Sequence, residues 1–293
     1  MFTHQMWMVA DQCNLTCTYC YFETGEYSYT PNRLTAPDYD RWLRRCALQL
    51  PVRSVALTGG EPLLRPDLVE LAAVARRHVD AVRVFTNAVR VTDEIAEALS
   101  RLGCGADVSI DHMSPDAADR VRGGTKATLA GIERLDAAGV PLQIIMVVTS
   151  LNWREVEELV RRARERKWQV ELLMVAVPSR HPLSMSTLTS AERTELLRVI
   201  DESADVFKSR VYFERLRHFL ISGRISMIRS CVTGQEGVFV NSDGDIWVCA
   251  HRGETSLGNI KDVSLPELLI GKRALLARRP AGPCASTGCL SLT

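Results

Sequence analysis

Cys13-Asn14-Leu15-Thr16-Cys17-Thr18-Tyr19-Cys20 carries three thiols, three residues apart and then two. Directly before it, Gln5–Asp11 is a short apolar run that reads as a buried strand. The triplet therefore falls in the loop that leaves a strand, where three thiolates can converge on one side of a compact metal centre. Three ligands is an informative number. A structural zinc site closes with four, usually from two pairs, whereas an iron–sulfur cubane held by three cysteines leaves one iron open to a small molecule. Zinc, or a chance grouping of core cysteines, is the alternative.

Moving outward, short β-branched or apolar runs alternate with amphipathic segments of helical period to about residue 180, the pattern of repeated βα units with parallel strands. The expected strands are Gln5–Asp11, Arg53–Thr58, Val82–Thr86, Asp107–Ile110, Leu142–Val148 and Gln169–Val175, with a helix after each of the first five. This predicts an α/β fold, a partial six-unit TIM-like barrel over 1–185. Asn152 before Glu155 and Thr189 before Glu192 have capping-box spacing. His181–Thr187 reads as a loop, and helices at Ser190–Ala204 and Arg215–Ser222 fill a connecting segment, 186–229. From 230 to 293 a small second domain is expected. Its strands Gly237–Asn241 and Ile246–Cys249 flank the turn Ser242-Asp243-Gly244, and a helix follows at Leu265–Arg278.

The 293 residues, 46% hydrophobic, suffice for a full core. With 36 basic against 35 acidic residues there is no global field to attract nucleic acid or a membrane surface. Apolar runs such as Ile144 to Val148 are far too short to span a bilayer, and the N-terminus lacks signal-peptide character, so a cytoplasmic location is expected. In that reducing compartment nine cysteines point to metal ligands and reactive thiols rather than disulfides. Cys46 and Cys104 stand alone and read as small buried hydrophobes. Cys231, Cys249, Cys284 and Cys289 gather in the C-terminal segment and could bind an iron–sulfur cluster, or zinc as a closed tetrahedral site. His112, His181 and His251 fall in loops, where surface hydrogen bonding is the plainer reading.

The Cys13–Cys20 stretch, with its aromatic residue before the third cysteine, resembles the cluster motif of the radical SAM enzymes. The resemblance implies that Cys13, Cys17 and Cys20 hold a [4Fe–4S] cluster and that Tyr19 lies beside S-adenosylmethionine (SAM). Gly59-Gly60-Glu61-Pro62 resembles the segment that binds the SAM amino group, its glycines allowing close backbone approach. Asn87, Ser109 and Asp111 are similar to family positions near SAM and its ribose, and Arg122 to the arginine that pairs with the SAM carboxylate. Strand-end capping for Ser109 and Asp111, and a solvated salt bridge for Arg122, are the plainer alternatives. Ala88 stands where the family usually has glycine. The spacing of Cys231, Gly244 and Cys249, with Leu257-Gly258-Asn259-Ile260, resembles the twitch form of the SPASM domain. That implies one auxiliary [4Fe–4S] cluster held by Cys231, Cys284 and Cys289, with Cys249 as a further ligand or as a hydrogen donor. Two clusters in all, SAM, and an external one-electron donor such as flavodoxin or ferredoxin are then expected.

Several reactions fit this frame. Only twelve residues precede the first cysteine, so no leader-binding module is expected ahead of the barrel. The layout and the Ser242–Arg252 segment resemble the radical SAM epimerases of aminoglycoside biosynthesis, which implies a polycationic small-molecule substrate and Cys249 as the catalytic thiol that returns hydrogen. Glu23, Glu26, Glu171, Asp243 and Asp245 are candidate partners for its ammonium groups. A radical SAM alcohol dehydrogenase acting on a small polyol or aminocyclitol, and a peptide-modifying enzyme, are the alternatives. An iron–sulfur sensor fits the SAM-contact motifs less well.

Overall fold

In a computed structural model the chain is described over residues 3–20, 34–48, 52–116, 119–224, 237–248 and 256–277. Six βα steps lead the chain: β1 (His4–Ala10), α1 (Ala36–Ala47), β2 (Ser54–Gly59), α2 (Leu68–Arg76), β3 (Ala81–Thr86), α3 (Asp93–Arg101), β4 (Gly105–Ser109), α4 (Thr125–Ala137), β5 (Leu142–Val148), α5 (Glu155–Arg166) and β6 (Gln169–Met174). There follow α6 (Ser190–Asp201), α7 (Arg210–Ser222), β7 (Gly237–Val240), β8 (Ile246–Trp247) and α8 (Leu265–Ala277). The six expected strands all form, in one parallel sheet ordered β6-β5-β4-β3-β2-β1-β7-β8. Parallel order puts all six C-terminal strand ends on one rim, where such folds place their chemistry.

The hairpin extends the sheet. β7 pairs in parallel with β1 from His4↔Gly237 to Trp7↔Val240, and β8 then turns back antiparallel. The segment after the hairpin adds to it, with Leu257 N donating to Ile246 O and Ile246 N to Gly258 O. The α1 helix reaches the same segment, as the Arg45 guanidinium donates to the carbonyls of Ile260 and Lys261.

Local chemistry accounts for most helix starts. The Thr189/Glu192 capping box forms as its spacing predicts. Thr35 and Asp38 form another, at the start of α1, that the sequence reading missed. Asn152 and Glu155 do not form one. Asn152 Oδ1 instead accepts from Thr149 N and Oγ1, its amide donates to Val147 O, and Glu155 Oε2 accepts from Met113 N. A buried turn at the end of β5 thus outcompetes the cap.

On the helix-facing side the strands are apolar: Val82 and Val84, Ala106 and Val108 are buried there. Under β1, Trp7 stacks on Tyr39 at 4.4 Å, and the Gln5 side-chain oxygen accepts from the indoles of both Trp7 and Trp42. Cys46 and Cys104 are buried and unpaired, the former beside Gln5, as expected of core thiols.

The opposite face of the lower strands holds a buried polar group. Arg83 Nε pairs with Asp107 Oδ2 at 2.8 Å, and Lys208 Nζ donates to Gln143 Oε1 at 2.7 Å. Glu171 lies with them, 2% exposed, and its Oε2 has no hydrogen-bond partner. Burial pushes the Glu171 carboxyl up to about 8, with Lys208 opposing and Asp107 adding to the rise. Glu171 thus belongs to this buried polar group.

Two substitutions test this packing. A carboxyl raised on folding contributes stability that is complete below its unfolded value, near 4.5, and is lost as pH rises towards 8. Wild type should therefore lose on the order of 3 kcal/mol between pH 4.5 and 7 that Glu171→Gln keeps, read from denaturant midpoints across that range. Ala88 adopts φ 58°, and a Cβ on facing Gly131 would lie 2.1 Å from the Ala88 carbonyl oxygen. Ala88→Gly should relieve the left-handed strain and stabilise by about 0.5–1 kcal/mol, measured by the same titration.

Candidate active site

The site grows from the strand ends. Leaving β1, the chain passes Asp11 and Gln12 into the cysteine loop, and the turn after β2 is bound directly to that exit. Gly60 N donates to Ala10 O at 2.8 Å and Glu61 N to Gln12 O at 2.7 Å. A Cβ at Gly59 would sit 2.2 Å from Ala10 O, and one at Gly60 2.2 Å from Gln12 O. The two glycines therefore allow the close approach of the β2 turn to the backbone leaving β1. Pro62, buried, opens the short 3-10 turn Pro62–Leu64 that follows.

Glu61 is fully buried, and both carboxylate oxygens are engaged within the protein. Oε1 accepts from Thr86 Oγ1 at 2.6 Å and Leu63 N at 2.9 Å, and Oε2 from Asn87 N at 2.7 Å. Burial still pushes this carboxyl up, against those hydrogen bonds. The Glu61 carboxylate thus ties the β2 end to the β3 end. Asn87 then faces the cysteines, its amide 2.8 Å from Asn14 Oδ1 and 3.8 Å from Cys13 Sγ.

A second clamp comes from β4 and the loop after it. The Tyr19 hydroxyl lies 2.5 Å from both Asp111 Oδ2 and Arg122 Nη2, and Arg122 Nε is 3.4 Å from the same carboxylate oxygen. Asp111 is fully buried and also accepts from Val147 N at 3.3 Å, so its carboxylate anchors Tyr19 and Arg122 on the end of β5. Arg122 is no solvated ion pair either, for its side chain is 10% exposed and its charge is met by Asp111. Burial opposes the guanidinium charge, but Asp111, Tyr19 and Cys17 outweigh it and keep the group protonated. Thr18 N donates to Val121 O at 2.8 Å, and Cys17 Sγ lies 3.9 Å from Arg122 O. Ser109, half-buried, ends β4 on the same rim.

The three cysteines come together on this rim; burial pushes the Cys13 thiol up and the Cys17 thiol up to about 11, with the neighbouring cysteines adding to both. Among the described residues no three Cys, His, Asp or Glu side chains close on a point suited to one metal ion. The donor set, three thiols on one short loop with an open side, fits a cubane with a free iron. Cys231, Cys249, Cys284 and Cys289, with Glu23, Glu26 and His251, lie outside the described residues.

Among the other candidates, Asp245 is held by Asn259, and His181 accepts from Leu183 N within its own loop. Asp243 is near Asp11 on the rim, whose carboxyl is pushed up by burial and by Asp243 and held down by Ser242. His112 sits 3.6 Å from Glu155 and 4.0 Å from Asp119. Sequence reasoning missed Asp119 and Asn14; Asp119 stands just before Gly123-Gly124, in a loop whose only signal was the glycine pair.

Comparison with known proteins places residues 7–163 in the radical SAM superfamily and residues 231–289 in an iron–sulfur cluster-binding domain, SPASM. A GTP 3',8-cyclase of Microcystis aeruginosa is 30% identical over 174 residues, 56% of this chain and 53% of the cyclase, so the chain spans about half the length of that curated relative. Among solved structures, anSMEcpe with bound AdoMet superposes with a TM-score of 0.74 at 19% identity, covering 99% of this chain and 93% of that one. Streptococcus suis SuiB bound to its precursor peptide SuiA gives 0.71 at 18% identity, covering 92% and 64%. BtrN in complex with AdoMet and 2-DOIA gives 0.53 at 15% identity, covering 94% and 85%. These likenesses carry the fold, a radical SAM partial barrel.

The buried clamp has a measurable cost. Asp111→Asn leaves the Arg122 charge without its carboxylate and should destabilise the cluster-free chain by about 3 kcal/mol in denaturant titration, whereas Ser109→Ala should leave the midpoint nearly unchanged.

Proposed function

We propose, from the premise that the chain belongs to the radical SAM superfamily and carries an iron–sulfur cluster-binding domain, that it takes hydrogen from a substrate carbon at the rim built around Cys13, Cys17 and Cys20. The observation that carries this reading is the double clamp on the cysteine loop, by Glu61 and Asn87 on one side and by Asp111, Tyr19 and Arg122 on the other. When bound, the [4Fe–4S] cluster and SAM supply a 5′-deoxyadenosyl radical, the hydrogen-abstracting agent. The chain's own residues fix the loop, bring Tyr19 against the Arg122 guanidinium at 5.5 Å, and leave Ser109 and Asn87 as polar groups on the rim.

For the substrate, the comparisons lend more support to peptide modification than to epimerisation. The chain follows anSMEcpe over nearly its whole length and resembles SuiB, solved with a precursor peptide. A small cationic substrate is favoured by a different observation. Asp11 and Asp243 bring two carboxyls together where the β1 exit meets the β7–β8 turn, and burial with mutual repulsion raises Asp11. An ammonium group would relieve that repulsion. The likeness to BtrN, complexed with 2-DOIA, leans the same way and suits the dehydrogenase alternative.

Within the small-cation reading, an aminoglycoside epimerase is the sharper form. The substrate C–H hydrogen passes to the adenosyl radical, and Cys249 returns a hydrogen atom to the other face. The resulting thiyl radical then takes one electron and a proton from the external donor and solvent.

Anaerobic turnover of the reconstituted enzyme with peptide and aminoglycoside candidates separates the readings, following 5′-deoxyadenosine and product mass together. Unchanged mass in ordinary water, with one deuterium gained in heavy water, supports epimerisation, and Cys249→Ala should then keep SAM cleavage and lose inverted product. Loss of two hydrogens from a small alcohol supports the dehydrogenase, and a mass change confined to peptide supports peptide modification. Absence of SAM cleavage under all conditions overturns the proposal.

A further inference from the structure

The loop between β4 and α4 is built around one carboxylate with no place in the reading above. Asp119 Oδ1 accepts from Val121 N at 3.1 Å and Arg122 N at 2.8 Å, while Oδ2 accepts from Thr125 Oγ1 at 3.0 Å, the first residue of α4. Its side chain is 3% exposed. Burial works against its charge, but the amides of Arg122, Gly123 and Val121 and the Thr125 hydroxyl prevail and hold the carboxyl below its usual range. The loop so fixed is the surface against which the cysteine loop is laid. Val121 O takes the Thr18 amide, Arg122 O lies over Cys17 Sγ, and Gly124, at φ 72°, leaves room for Leu15, which a Cβ would meet at 3.0 Å. His112 stands between Asp119 and Glu155, and Glu155 Oε2 accepts from Met113 N, so the start of α5 is joined to the same assembly.

The structure assigns Asp119 as a positioning residue for SAM binding, acting through the backbone of Val121 and Arg122 on both the cysteine loop and the Arg122 side chain. The inference rests on the radical SAM reading and deepens it. Replacing the carboxylate by an amide removes the charge on which the Val121 and Arg122 amides converge and reverses the Thr125 hydrogen bond, so the loop should loosen while every thiol and the Arg122 side chain remain. Arg122 and Asp111 supply the charge at this corner; Asp119 determines where that charge stands.

The test is Asp119→Asn in the reconstituted protein, with Asp119→Glu as the conservative variant. Iron content and the spectrum of the reduced cluster without SAM should match wild type. SAM affinity should fall at least tenfold, the change that SAM induces in the electron paramagnetic resonance spectrum should weaken, and the Thr18 amide should lose hydrogen-exchange protection. Asp119→Glu should recover part of the affinity. Should Asp119→Asn fail to fold or to hold iron, Thr125→Ala removes one of the carboxylate's contacts and should lower SAM affinity by a smaller factor of two to five, about 0.4 to 1 kcal/mol. Unchanged SAM affinity in Asp119→Asn, or in Thr125→Ala where that variant is needed, overturns the assignment. Wild type is the control: if it binds no SAM, the radical SAM reading fails, and if it binds SAM as tightly as the variant, only the role of Asp119 does.

Discussion

The charge pair of Asp111 and Arg122, bridged by the Tyr19 hydroxyl, is the contact on which the rest of the site depends. It is buried, so neither partner can be removed without stranding the other in a medium that solvates charge poorly. It also joins two parts of the chain about a hundred residues apart, the cysteine loop and the segment between β4 and α4. Such a pair adds little net stability compared with an apolar replacement, but it admits one arrangement of its partners. For a loop of eight residues that must hold three thiols in fixed relation, that single arrangement is the useful property.

Opposite this corner, Glu61 plays a matching part with hydrogen bonds alone. Its two oxygens collect donors from the β2 turn and from the β3 end, so the strand ends that flank the cysteine loop are set relative to one another before any ligand arrives. Both acids thus order the protein itself, and the Asn87 amide and the Ser109 hydroxyl stand beside them on the rim. Preorganisation of this kind moves the ordering cost from binding to folding.

Much of this was legible in the sequence, and the reasons are physical. Strands buried on both faces leave continuous apolar runs, and Leu142–Val148 is one whose ends are those expected. The cysteine triplet was legible because ligand spacing on a short loop is a local property. The protein contacts of Glu61, Asp111 and Arg122 were not, since sequence shows which residues reach the rim but not which of them meet each other there. The Asn152 cap failed for a related reason: a local signal lost to a partner brought in from the end of β5. Asp119 was missed because a single aspartate before a glycine pair looks like any loop. The hairpin was recognised, but its pairing with β1 could not be, because that contact spans more than two hundred residues of chain.

That pairing constrains motion. β1 and β7 are parallel and share four consecutive residue pairs, so a force pulling the hairpin along the strand axis loads their hydrogen bonds together, in shear, instead of unzipping them one at a time. The Arg45 contacts to the carbonyls of Ile260 and Lys261 add a second point of attachment away from the ladder. A body held at two separated points does not swing about either one. Swinging the hairpin outward would therefore mean breaking the parallel ladder to β1 and not only bending a loop.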